Sequence, residues 1–144
     1  MLLLFDIDGT LLVKAYVAHR ESLHAAITDV YGVSDPGEAR VPAAGRTDIE
    51  IAREILLQHG VSAVRIDDRM DDFREACSRE YAQRCPADLS GNVAPGIPDL
   101  LGALAGRDGV LLSLVTGNLE PIARMKLARA GIGRYFPRGQ GGFG

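Results

Sequence analysis

Cysteine is scarce in this chain: its 144 residues include only Cys77 and Cys85. Two cysteines are too few for a disulfide framework, and their spacing is not the Cys-x-x-Cys step of a metal knuckle. A reducing, cytoplasmic setting is expected. Lysine is equally scarce, with only Lys14 and Lys126 among sixteen basic residues, so each can be weighed on its own. Positive charge is not in excess either, since nineteen acids give a formal net charge of −3. That balance carries no electrostatic footprint for nucleic acid. Long apolar runs are also missing. Residues 1–5 are apolar but Asp6 ends the run, which leaves no room for a secretory h-region or a membrane span, so no membrane partner is expected. What remains is 47% hydrophobic and 24% charged, the composition of a globular protein.

Residues 2–5 read as a short strand buried on both faces, with Asp6 at its carboxyl end. A helix is predicted over about 14–31, with Leu23, Ile27 and Val30 on one stripe and Gly32 placed to stop it. Thr47-Asp48-Ile49-Glu50 has the form of a capping box and predicts a helix start. A further helix is predicted over about 66–84, burying Met70, Phe73, Cys77 and Tyr81 and stopping before Pro86. On that stripe Cys77 reads as a small core hydrophobe. Pro98 suits the first turn of a helix whose Leu100, Leu101 and Leu104 face inward. A second buried strand over 110–115, the turn Thr116-Gly117-Asn118 and a helix opening at Pro121 complete a βαβ pattern. The expected fold class is therefore α/β. Residues 1–13 and 93–144 form a partial parallel-sheet core, and residues 14–92 form an inserted all-helical domain.

The residues that carry chemistry lie at strand ends. Asp6-Ile7-Asp8-Gly9-Thr10 puts two carboxylates where open α/β sheets bind ligands. Alternate side chains share a face, and Gly9 lets the chain turn away. An Asp-Gly turn whose acids only cap backbone amides would look similar. The full string, however, arises by chance on the order of once in a thousand chains of this length. Thr116-Gly117-Asn118 adds a hydroxyl and a turn amide at the same sheet edge.

With these residues the chain resembles the haloacid dehalogenase-like superfamily of phosphohydrolases. Asp6, Asp8 and Thr10 match its first motif and Thr116 its second. The helical insert resembles the superfamily's mobile cap and the core its Rossmann-like sheet. Gly45-Arg46-Thr47-Asp48 and Thr116-Gly117-Asn118 resemble the phosphoglycolate phosphatase-like branch. Lys126, ten residues after Thr116 and on the following helix, is the one candidate for the third motif, a lysine; a solvated surface lysine is the alternative.

The resemblance implies a Mg²⁺-dependent phosphomonoester hydrolase acting on a small phosphorylated metabolite. Asp6 would be the nucleophile forming an aspartyl phosphate, and Asp8 the general acid and base. Thr116 and Lys126 would support the phosphoryl group, with Thr10, Gly117 and Asn118 as further substrate contacts. Asp6 and the Asp8 carbonyl would hold Mg²⁺. Arg46, in a turn before a capped helix, suits recognition of a substrate anion. An aspartate at position 8 disfavours dehalogenation. A sugar phosphomutase-type phosphotransferase shares every one of these motifs, and a catalytically inactive interaction module is the reading from another class. The superfamily's fourth, acidic motif is not found before Gly144. The expectation is a piece of a longer enzyme that binds Mg²⁺ weakly, is by itself inactive or only weakly active, and associates through an exposed first strand.

Overall fold

The computed structural model describes residues 1–144. Three parallel strands, β1 (Leu2–Phe5), β2 (Leu111–Thr116) and β3 (Gly142–Phe143), form one sheet in that order. β1 and β2 run in register from Leu2 opposite Leu111 to Phe5 opposite Leu114, and Thr116 pairs with Phe143. Six helices accompany them: α1 (Val17–Tyr31), α2 (Asp48–Gln58), α3 (Ala63–Asp68), α4 (Met70–Arg84), α5 (Ile97–Ala105) and α6 (Glu120–Arg129). Four lie between β1 and α5, with α1 packed along α4. One continuous core joins these helices to the sheet, running from Ile7 and Leu12 through Leu23, Ile27 and Phe73 to Leu114 and Ile122. No helix is long and apolar enough to cross a membrane.

Local chemistry explains the element boundaries. α1 starts at Val17, three residues later than its periodicity predicts. Lys14 sits at φ +57°, outside the helical region, because the chain before it is already committed elsewhere. Leu12 bridges to Val93, the Val13 amide donates to the Asn92 carbonyl at 2.8 Å, and the Asn92 side chain returns a bond to the Val13 carbonyl. The two crossings between sheet and helices therefore run side by side. Gly32, at φ +76°, closes α1 by donating to Thr28. The capping box is formed as expected: the Glu50 amide donates to Thr47 Oγ1, and the Thr47 amide donates to the Glu50 carboxylate at 2.8 Å.

Three expectations are corrected. The single helix over 66–84 is two helices broken at Arg69. Its 3.6-residue period runs through the break, but the Ile66 carbonyl accepts the buried Tyr31 hydroxyl at 3.0 Å instead of an amide one turn on. Strand β1 is not buried on both faces. Leu2 and Leu4 are each 56% exposed while Leu3 and Phe5 are half-buried, because β1 is an edge strand and only one of its faces is covered. In α5, Leu101 is fully buried but Leu100 is exposed, since neighbouring positions lie about 100° apart on a helix and a nine-residue element presents only one stripe.

Cys77 is buried on α4, and burial pushes its thiol up to about 12. At pH 8 only about one thiol in ten thousand would be ionised, so iodoacetamide should leave Cys77 unmodified in the native protein. Mass-spectrometric mapping of adducts before and after unfolding checks this. Rapid native labelling at Cys77 would show that the α1–α4 contact opens.

Candidate active site

β1 delivers the carboxylate pair. Beyond Phe5 the chain leaves the sheet, and Ile7, wholly buried, anchors the turn by accepting the Leu11 and Leu12 amides on its carbonyl. Asp6 and Asp8 flank that anchor, and both line a cavity of about 700 Å³. Gly9 makes the turn possible at φ +83°, donating to the Leu12 carbonyl at 2.8 Å. β2 supplies the opposite wall through Thr116, Gly117 and Asn118. The remaining walls come from α1 and from residues 43–48, and these include Arg20, Arg46, His19 and Asp48.

The two carboxylates have different surroundings. Asp6 uses Oδ1 to accept the Ile7 amide at 2.7 Å and faces the cavity with no cation bonded to it. Asp8 is gripped from two sides: Lys126 Nζ donates to both of its oxygens at 2.8 and 2.7 Å, and Asn118 Nδ2 donates to Oδ2 at 2.8 Å. Burial alone would raise the Asp8 pKa. The Lys126 charge and the bonds from Lys126 and Asn118 outweigh it, so Asp8 is held below the usual carboxylate range. At neutral pH it is a carboxylate.

Asn118 organises the β2 end. Its Nδ2 also donates to Thr116 Oγ1 at 2.9 Å, and its Oδ1 is buried without a partner. Turning the amide over would place that oxygen against the Asp8 carboxylate, so the charge on Asp8 sets the orientation. Thr116 Oγ1 thus accepts twice from Asn118, from the side chain and from the amide at 3.3 Å, and its own O–H is left to donate elsewhere. Gly117 is required by close approach. A Cβ there would overlap the Arg46 carbonyl oxygen and sit 3.1 Å from the Thr47 Cα. Residues 46–48 rest directly on the turn, with the Asp48 amide donating to the Gly117 carbonyl at 2.8 Å.

Of the residues singled out by sequence, Asp6, Asp8, Arg46, Thr116, Gly117 and Asn118 line the cavity. Lys126 reaches Asp8 from behind with a fully buried side chain. Its three N–H groups are spent on Asp8 and His19, which leaves none for a phosphoryl oxygen in this arrangement. Thr10 is exposed in the turn and does not line the cavity. Sequence reasoning missed His19, a lone histidine with no motif around it. Asp48 was named within the capping-box string and the Gly45–Asp48 string but given no role at the site. His24 was missed as well; it lines the cavity beside Arg20, and burial and then the Arg20 charge lower its pKa.

Among curated proteins, none matches the chain. The family model for haloacid dehalogenase-like hydrolases matches residues 3–142, from β1 into β3. That span contains the carboxylate turn, the Thr116 turn and Lys126, and so this chain belongs to the haloacid dehalogenase-like hydrolases.

Proposed function

We propose that the chain hydrolyses phosphomonoesters of small metabolites through an aspartyl phosphate on Asp6, in the manner of the phosphoglycolate phosphatase-like branch. The observation that carries this is the contrast between the two carboxylates at one cavity: Asp6 carries no bonded cation, and Asp8 is clamped by Lys126 and Asn118. Residues 14–92 act in this proposal as a cap over the cavity, and the paired crossings at 12–13 and 92–93 act as its hinge.

The family implies Mg²⁺, and the donors can be tested for fit. Asp6 supplies a carboxylate and Asp8 a main-chain carbonyl; no three His, Cys, Asp or Glu side chains converge as a metal cage. Mg²⁺ commonly keeps several waters and takes one or two carboxylates plus the substrate's phosphate, so this set fits a loosely held ion. When bound, it would neutralise charge between Asp6 and the phosphoryl oxygens.

The chain's own residues then divide the work. Asp6 attacks phosphorus, the bond to the leaving oxygen breaks, and that oxygen takes a proton from Asp8. Water next attacks phosphorus and gives its proton to Asp8 while the bond to Asp6 breaks, releasing phosphate. Asp8 as the structure holds it is ready for this second half; acting as an acid requires it to take up a proton and loosen from Lys126. The free Thr116 O–H suits a phosphoryl oxygen. Arg20 and Arg46 suit an anionic substrate tail. A 700 Å³ cavity holds substrates well beyond phosphoglycolate in size.

Phosphate release from p-nitrophenyl phosphate and a panel of phosphorylated acids and sugars, across a Mg²⁺ titration, is the test. No release above background from any of them would end the proposal. Arg46→Ala should raise KM about tenfold for acid-tailed substrates, with much less change for the aryl ester. Equal effects on both would make Arg46 structural.

A further inference from the structure

A chain of polar contacts extends from Asp8 through the buried Lys126 to His19 and Asp48 in the cavity wall, and its far end lies in the segment seated on the β2 turn. We propose that His19 and Asp48 are positioning residues. His19 holds Lys126 on Asp8, and Asp48 makes that hold depend on residues 43–48 being docked on the turn after β2. The consequence for catalysis rests on the phosphoryl-transfer proposal above, whereas the arrangement itself stands on the contacts.

An ammonium group has three donors and no lone pair. Lys126, fully buried, gives two of its N–H groups to Asp8 and the third to His19 Nδ1 at 3.1 Å. A donor-only neighbour forces Nδ1 to accept, so the proton of the neutral ring is on Nε2. That nitrogen lies 2.9 Å from Asp48 Oδ2 and donates to it. The tautomer is thus set from both sides, as carboxylates orient histidines behind metal sites. Tyr81 meets the imidazole edge-on, with centroids 5.8 Å apart and planes at 73°, which limits rotation of the ring.

Asp48 is also the junction with the β2 turn. Its Oδ2 accepts the Leu119 amide at 2.9 Å as well as His19, and its own amide donates to the Gly117 carbonyl. A staple serving only to join helices would end at the His19–Asp48 pair. This one continues to the ammonium that holds Asp8. When residues 43–48 lift off the turn, Asp48 leaves with them, Nε2 loses its acceptor and the ring is free to turn. Lys126 then loses its third partner, and with it the contact that fixes its ammonium group across the two Asp8 oxygens. The acid–base residue is thereby coupled to whether the cavity is covered, as lid closure completes catalytic sites elsewhere.

Nitrogen-15 NMR of the protein tests this without depending on turnover. His19 should show the Nε2–H tautomer at pH 7, and the slowly exchanging Lys126 ammonium should give a resolved resonance. Asp48→Ala should abolish that resonance and mix the His19 tautomers while the amide spectrum stays native. Gly117→Ala keeps every side chain of the chain of contacts but displaces residues 46–48, and it should produce the same change; it serves where Asp48→Ala does not fold. Kinetically, His19→Ala should lower kcat about 10- to 100-fold at nearly constant KM. His19→Asn, which keeps an acceptor toward Lys126, should recover most of that loss. An Nδ1–H or doubly protonated His19, or a Lys126 resonance indifferent to both Asp48→Ala and Gly117→Ala, would overturn the proposal. Absent phosphate release with these NMR signatures intact would count against the hydrolase proposal alone.

Discussion

Asp6→Asn should lower phosphate release by on the order of 10⁴-fold or more, the scale on which removal of a covalent nucleophile falls. An amide oxygen neither attacks phosphorus effectively nor offers a metal the charge of a carboxylate. The fold should be untouched. An asparagine can still accept the Ile7 amide that Asp6 Oδ1 accepts now, and no cation loses its partner. Denaturation midpoints of variant and parent should therefore agree, and acid-quench trapping with labelled substrate should find no phosphoryl-protein. Phosphoryl-protein still trapped in the Asp6→Asn variant would move the nucleophile elsewhere. Asp8→Asn serves as the contrast, with an expected loss of about 10²- to 10⁴-fold.

Lys126→Met should cost about 3 kcal/mol of stability at neutral pH, near the lower end of what breaking a buried ion pair costs, because the Asp8 side chain is 36% exposed and keeps some water. Methionine fills most of the space of the lysine stem, so the loss reads the charge more than a cavity. The pH dependence carries the stronger test. In the parent, the Asp8 pKa is depressed below 3.8, so its contribution is complete above that value and is lost as pH falls through the folded-state pKa. In the variant no cation offsets burial, so the Asp8 pKa should rise and protonation should become stabilising. The stability gap should then be widest near pH 7 and close below pH 3.8. Urea denaturation at pH 7 and pH 3 measures it, and a gap independent of pH would mean that Lys126 stabilises through packing alone.

Several features of the site were legible in the chain because they depend on neighbours in sequence. A short apolar strand running into Asp6-Ile7-Asp8-Gly9 brings both acids to one sheet edge within three residues, and the Thr47–Glu50 box caps α2 with partners three residues apart. The Thr116 turn follows from the same local logic. Element boundaries were less legible wherever a distant group intervened. Asn92 ties down Val13 and delays α1, and the Tyr31 hydroxyl takes the Ile66 carbonyl and splits a helix whose period is unbroken.

The roles around Lys126 arise from contacts between remote segments. Along the chain it is one of two lysines, placed on a helix after the second strand. That it is buried, that it spends all three donors, and that His19 and Asp48 complete its shell depend on contacts spanning 107 and 29 residues. No local pattern encodes such distances, because a hydrogen bond between remote segments requires only that the fold bring them together and not that their neighbours take any particular form. Backbone periodicity and short-range bonding suffice for the α/β class and the carboxylate turn, while the family is carried by the motif residues Asp6, Asp8 and Thr116 as a resemblance that the family match bears out. Which face of β1 is covered, how Asp8 is kept ionised and what seats residues 43–48 on Gly117 emerge on folding, since burial and charge pairing are properties of segments meeting in space.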